Sequence, residues 1–424
     1  NLIKSGRVWY GEQLGTISEL DFGFSVPQID KNSKVQVRAE YAARSIGVSG
    51  VELRLSLPNQ GGAADTSSVA PVADFYGALY ADDGILDLAV QPRDGDLLTK
   101  IALNKGSNAL ATAWIDFIEI NARRNLSFLD PFMFFRDKES IGAGNITSFS
   151  VQSKVPITVW DVTNPHDVRE MVLSGNVQTG FTFKRETSVL REFVCFDGQD
   201  FLKPRFSKRV PNQNLHAAEN IDYLIVAHSS FVGQAEQLAS YHETVDGFNT
   251  LVVTPDQAYN EFSGGAQDIT AIKEFIRMLY FEGFESGGRP IKYVLLYGDA
   301  SYDYKNRVSG NSNFVPTYQM YTSLSPTGSI ASDDFFGLLD DDEGEAAADY
   351  LDIGVGRLPV RSKKEADDVV KKILAYANSS ASFGEWRNVV AFVADDAEPG
   401  LVFMRDFENN GKIGLRIDTS TLEI

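Results

Sequence analysis

One thiol and four imidazoles are the candidate nucleophile and bases in this sequence: Cys195, and His166, His216, His228 and His242. Cys195 sits in Glu192–Phe196, an alternating segment with aromatic neighbours and no cation beside it to stabilise a thiolate. It reads as a small buried hydrophobe and not as a nucleophile. None of the histidines has the spacing of a metal ligand, and none lies near Cys195 in the chain. His228 follows a predicted strand and could line a cleft, although a structural hydrogen-bonding role is the simpler expectation. The tract Asp340–Glu345, with Asp333 and Asp334 upstream, is rich in hard oxygen donors. Asp340, Asp342 and Glu343 are therefore calcium candidates, set against the plainer reading of a solvated acidic loop. Asp352 sits in an apolar run beside Gly354-Val-Gly356-Arg357, where a carboxylate needs a partner such as Arg357, or a site. The glycine pair does not open a dinucleotide-binding loop. The sequence has no Gly-x-Ser-x-Gly elbow, no Walker loop and no His-Glu-x-x-His.

The elements that must carry these residues fall into two halves. Over residues 1–203 the runs at 35–41, 51–57, 85–90, 113–120 and 157–162 alternate or cluster apolar residues at strand length, with Gly, Pro and Asn between them. This pattern predicts an all-β, sandwich-like region, as one body or two modules. Residues 204–220 lose periodicity and read as a connector. From 221 to 424 short apolar runs alternate with helical spacing. Strands are predicted at 221–227, 250–254, 293–297, 351–355 and 388–393, and helices at 233–242, 268–281 and 363–378. Such alternation predicts a parallel sheet with right-handed crossovers. Ligands in such sheets sit at the carboxyl ends of the strands. Gly298-Asp299, Gly356-Arg357 and Asp395-Asp396 fall at those predicted ends.

Composition narrows the function classes. At 424 residues, 43% hydrophobic and 23% charged, the chain has core enough for two or three domains. A net charge of −19, with no run of Lys/Arg, argues against nucleic acid as a partner. A single cysteine excludes an intrachain disulfide and a cysteine-based zinc site. No stretch of about 18 apolar residues is present to span a bilayer. The opening Asn-Leu-Ile-Lys lacks an initiator Met and reads as a processed or trimmed end.

Several motifs together resemble the gingipain-like cysteine peptidases, and among them the sortases of the type IX secretion system. They are Val210–His216 before Asp222–Val226, Tyr259–Gly264, Lys292–Asp299 with Ser301–Asp303, and Val315–Tyr318. Ser332–Leu339, Leu351–Val360, Trp386–Asn388 and Val393–Asp396 continue the likeness. It runs from about 210 to 396, and more loosely through the β-rich half, as at Trp160–Pro165. The resemblance implies a caspase-like α/β peptidase subdomain on the outer face of the outer membrane in Bacteroidota. It implies removal of the C-terminal signal domain from secreted cargo, and transfer of the cargo to anionic lipopolysaccharide by transpeptidation. It implies a PorV-like outer-membrane β-barrel as partner, and no required cofactor. The family dyad is a Gly-His followed by a Cys after the next strand. Gly-His occurs nowhere in this sequence, and its one cysteine precedes the peptidase-like half. The His and Cys are accordingly expected beyond Ile424, with the peptidase subdomain incomplete here. By the resemblance, Asp352 would be the supporting acid. Two other readings stand beside this one: a non-catalytic peptidase-like module that docks cargo or a barrel, and a calcium-stabilised adhesin.

Overall fold

The structure is a computed structural model, which describes residues 1–388 apart from 48, 200, 286 and 345–348. The chain divides into two compact units: Asn1–Asn214 with Ser301–Asn311 and Thr317–Tyr350, and Leu215–Ala300 with Ser312–Pro316 and Leu351–Ile424.

The first unit is β-rich, as the alternation predicts. Two four-stranded antiparallel sheets share one core. The first runs Gln13–Leu14, Thr112–Asn121, Val35–Arg44, Asp82–Val90, and the second Glu19–Ser25, Asp96–Asn104, Val51–Leu57, Ala63–Val69. Val35, Val37 and Ala39 from one sheet, and Leu53, Leu55 and Leu57 from the other, are fully buried in it. Period-2 burial of this kind places every second side chain inside, at about 1.5–3 kcal/mol per large aliphatic side chain. A second pair of sheets, built between Phe132 and Phe196, closes over a separate core of Phe149, Phe183, Phe193 and Cys195. Residues Ser5 to Val8 thread along the segment 319–329 of the same unit. The N–H of Gly6 donates to Gln319 Oε1 (3.1 Å), that of Arg7 to the Met320 carbonyl (3.0 Å), and that of Val8 to Ser323 Oγ (2.8 Å).

The second unit is a four-stranded parallel sheet. Its strands are β1 (Tyr223–Ala227), β2 (Thr250–Val253), β3 (Tyr293–Tyr297) and β4 (Gly354–Leu358), in the spatial order β2-β1-β3-β4. Helices α1 (Val232–Val245) and α4 (Lys363–Asn378) cover one face, packing Leu238, Ala366 and Val370 against Ile225, Leu295 and Tyr297. The alternate residues Leu224, Val226, Val294 and Leu296 are equally buried on the other face. Burial on both faces is the reason these strands are unbroken apolar runs. The remaining helices are α2 (Pro255–Phe262) and α3 (Ile269–Glu285).

Three expectations about elements change. The fourth strand begins three residues later than the apolar run 351–355 predicts. β3 offers partners only from Tyr293, which pairs with Gly354, so Leu351 and Asp352 lie ahead of the ladder, with Leu351 half-exposed. Helix α2 was not anticipated. Its start is nonetheless written in the sequence: Thr254 Oγ1 accepts from the Gln257 N–H, the Gln257 side chain accepts from the Thr254 N–H, and Pro255 opens the first turn. Of the strand predicted at 388–393, Asn388 closes a short 3-10 turn and the rest, with Asp395 and Asp396, lies outside the described residues.

Candidate functional site at the carboxyl edge of the parallel sheet

The order β2-β1-β3-β4 reverses direction between β1 and β3, so the crevice of an open α/β sheet falls beyond their carboxyl ends. His228 follows β1 and Gly298-Asp299 follows β3, and the two turns are joined where the His228 N–H donates to the Tyr297 carbonyl at 3.1 Å. His228 also caps the short turn Ser229–Phe231, its Nδ1 accepting from the Ser230 N–H at 3.3 Å. Its ring packs 4.5 Å from that of Phe314, and burial holds the imidazole below its ordinary pKa against the pull of the Asp256 carboxylate. At Gly298 φ is +148°, and a Cβ would stand 3.1 Å from Phe314 and Val315, so this turn demands glycine.

Asp299 is 7% exposed and fully partnered. Its Oδ2 accepts from Ser312 Oγ at 2.5 Å and from Arg361 Nε at 2.7 Å. Its carbonyl accepts from the N–H groups of Phe314 and Val315, and its own N–H donates to the Val360 carbonyl. Arg357, on β4, completes the frame. Its Nη1 donates to the carbonyls of Gly298 (2.8 Å) and Val315 (2.7 Å), and its Nη2 to that of Pro316 (3.1 Å). A guanidinium is the one side chain with enough rigid donors to hold three carbonyls at once. The carboxyl edge is thus a fixed polar frame, able to hold loops at the switch point but carrying no cysteine among the described residues.

Most of the residues singled out from sequence lie elsewhere. Cys195 is completely buried in the second β core, and burial, with Asp197 nearby, pushes its thiol up to about 12. That removes it as a nucleophile at neutral pH. His166 is exposed, with its N–H donating to Asn164. His216 Nδ1 lies 2.7 Å from Glu261 Oε2, and His242 Nδ1 lies 2.6 Å from Asp246 Oδ2 one turn along α1, both structural pairs. Asp352 precedes β4 at the amino edge of the sheet, where it accepts from the Tyr280 hydroxyl at 3.3 Å. The four residue steps of Gly354–Leu358, at about 3.3 Å each, set the two ends of that strand roughly 13 Å apart. Arg357 lies within β4 and not after it, and spends its guanidinium on the carbonyls described above. Around Asp340 the acidic tract folds as a turn, the Asp340 N–H donating to Glu343 Oε2 at 3.3 Å, while Asp333 accepts from Thr317 Oγ1 at 2.8 Å. Among the described residues no group of three or more His, Cys, Asp or Glu could hold a metal ion, and Glu345 of the same tract lies outside them.

A β-rich region followed by a parallel sheet with helices matches the gingipain-like fold. Residues 216–420 match the sequence model of Peptidase family C25. The chain is PorU-like: it superposes on dimeric latent PorU from Porphyromonas gingivalis with a TM-score of 0.78 and 25% identity, over 92% of this chain. It spans 38% of the length of that PorU chain. A galactotriose complex of TmCBM61 aligns at a TM-score of only 0.18, with 14% identity over 25% of this chain and 62% of that one, and carries no argument. No curated protein sequence matches the chain significantly.

Proposed function

We propose that this chain is the front part of a cell-surface cysteine endopeptidase and sortase of the type IX secretion system. In this reading the whole protein removes the C-terminal signal domain from secreted cargo and attaches the cargo to anionic lipopolysaccharide. It works on the outer face of the outer membrane with a PorV-like β-barrel as partner. The observation that carries the reading is the likeness to PorU, which extends through both the β-rich and the parallel-sheet units.

The chemistry is acyl transfer. A histidine raises the thiolate fraction of the catalytic cysteine, the thiolate attacks the scissile carbonyl, and the C–N bond to the signal domain breaks as its amine leaves protonated. The acyl-enzyme is then resolved by water, giving hydrolysis, or by an amine acceptor, giving ligation. Cys195 cannot supply the sulfur, because its thiol is buried and burial pushes its pKa up to about 12. The dyad is therefore contributed from outside these 424 residues, and the switch-point frame serves to position it.

The test is a cleavage reaction with the full-length protein, a cargo bearing its C-terminal signal domain, and a small amine. The reading expects both a hydrolysed and an amine-capped cargo, in a ratio that follows amine concentration. Cleavage with no capped product at any amine concentration would leave a peptidase and remove the sortase. No cleavage at all would favour the docking module.

A further inference from the structure

Between Phe196, where the last strand of the second β core ends, and the turn at Leu215, the described residues carry no regular structure. Residues 201–212 are all exposed. Lys203, Arg205, Lys208 and Arg209 fall within seven residues with no acid among them, in a chain of net charge −19. Phe206 lies among them and Phe201 and Leu202 directly precede them; the three, in chain order, are exposed to 58%, 88% and 82%. Pro204 fixes its own φ, removes a backbone donor and biases Lys203 toward extended backbone, so the segment is held from becoming a helix that could hide one face. Lys203, Arg205 and Arg209 have no hydrogen-bond or ion-pair partner among the described residues.

Two costs are therefore left standing in water: Lys203, Arg205 and Arg209 without counter-charges, and the largely exposed apolar side chains of Leu202 and Phe206. A soluble polyanion would satisfy the first and leave Leu202 and Phe206 exposed. An anionic bilayer surface satisfies both, because its phosphates take Lys and Arg while the acyl boundary takes Phe and Leu. The acidic remainder of the protein opposes such contact only within a Debye length, about 8–10 Å at physiological salt. We propose that residues 201–209 are a docking ribbon for a membrane surface bearing anionic phosphate headgroups. This does not depend on the peptidase reading, and it can be scored without any activity.

The experiment is co-sedimentation of the full chain with vesicles of phosphatidylcholine alone, and of phosphatidylcholine mixed with phosphatidylglycerol, at about 0.1 M salt. Binding is expected to the mixed vesicles and not to the neutral ones, and to fall as salt is raised. Each cation contributes about fivefold, so the quadruple change Lys203→Gln, Arg205→Gln, Lys208→Gln, Arg209→Gln should weaken binding several-hundredfold. Leu202→Ser with Phe206→Ser should weaken it several-fold while leaving every charge in place. All six side chains are exposed, so the melting temperature should not move. The proposal is overturned if the wild type ignores mixed vesicles, or if the quadruple variant binds them equally. It is also overturned if inorganic polyphosphate binds as tightly as the vesicles and the Leu202/Phe206 variant is unaffected, which would make the ribbon a polyanion site.

Discussion

Replacing Arg357 by Leu keeps most of the side-chain bulk and deletes the three hydrogen bonds that tie β4 to the turn after β3 and to residues 315–316. A hydrogen bond from a charged donor is worth about 1.5–3 kcal/mol, and a stranded buried acceptor costs about 1–3 kcal/mol. The Arg357 side chain is only partly buried, so about 1 kcal/mol each is the fitting figure, or about 3 kcal/mol together. Arg357→Lys retains one point donor and should recover roughly a third of that loss. The assay is urea unfolding at equilibrium, paired with hydrogen exchange at the amides of Phe314 and Val315, which donate to the Asp299 carbonyl. Both amides should exchange faster in the Leu variant, because the turn that orients their acceptor loses its clamp. A Leu variant within about 0.5 kcal/mol of wild type, with exchange unchanged, would refute the view that Arg357 frames the switch point.

Gly6 has φ +81°, and a Cβ there would stand 2.0 Å from the Thr322 carbonyl oxygen, so Gly6→Ala should cost more than about 2 kcal/mol and detach residues 5–8 from the 319–329 segment, as read by limited proteolysis. Asp352→Asn tests the supporting-acid role. The amino-edge position and the long hydrogen bond from the Tyr280 hydroxyl predict near-normal turnover in the full-length protein, whereas a large fall in turnover with stability intact would establish the catalytic role. His228 gives a pH dependence with a definite sign. Its folded pKa lies below the ordinary value of about 6.5, so the unfolded chain binds the proton more readily. Its contribution is intact above about pH 6.5 and is lost as pH falls from there toward the lower folded value. His228→Phe should flatten that part of the stability–pH curve.

The sequence made the architecture readable wherever one physical cause dominates. Val51–Leu57 is a strand by period-2 alternation alone, and Tyr293–Tyr297 by its unbroken apolar run, and both have the predicted bounds. Gly298 and Asp299 could be placed at a strand end for the same reason. Other features depend on contacts made at long range. The register that delays β4 to Gly354 is set by Tyr293, and the acceptors of Arg357 lie 41, 42 and 59 residues away, so neither could be read from local spacing. Gly356-Arg357 looked like a motif beyond a strand because the strand was drawn three residues too early. Helix α2 had a local signal, the capping box at Thr254–Gln257, and the strands Glu19–Ser25 and Asp96–Asn104 had their alternation, yet none of the three was among the predicted elements.

The central claim is that this chain is the positioning part of a cysteine peptidase whose nucleophile is not Cys195. It is tested most directly by treating the native full-length protein with a peptidyl acyloxymethyl ketone and mapping the alkylated cysteine by mass spectrometry. The account predicts one labelled cysteine outside residues 1–424, with Cys195 alkylated only after unfolding. Rapid labelling of Cys195 in the native protein, or no labelled cysteine at all, would contradict it.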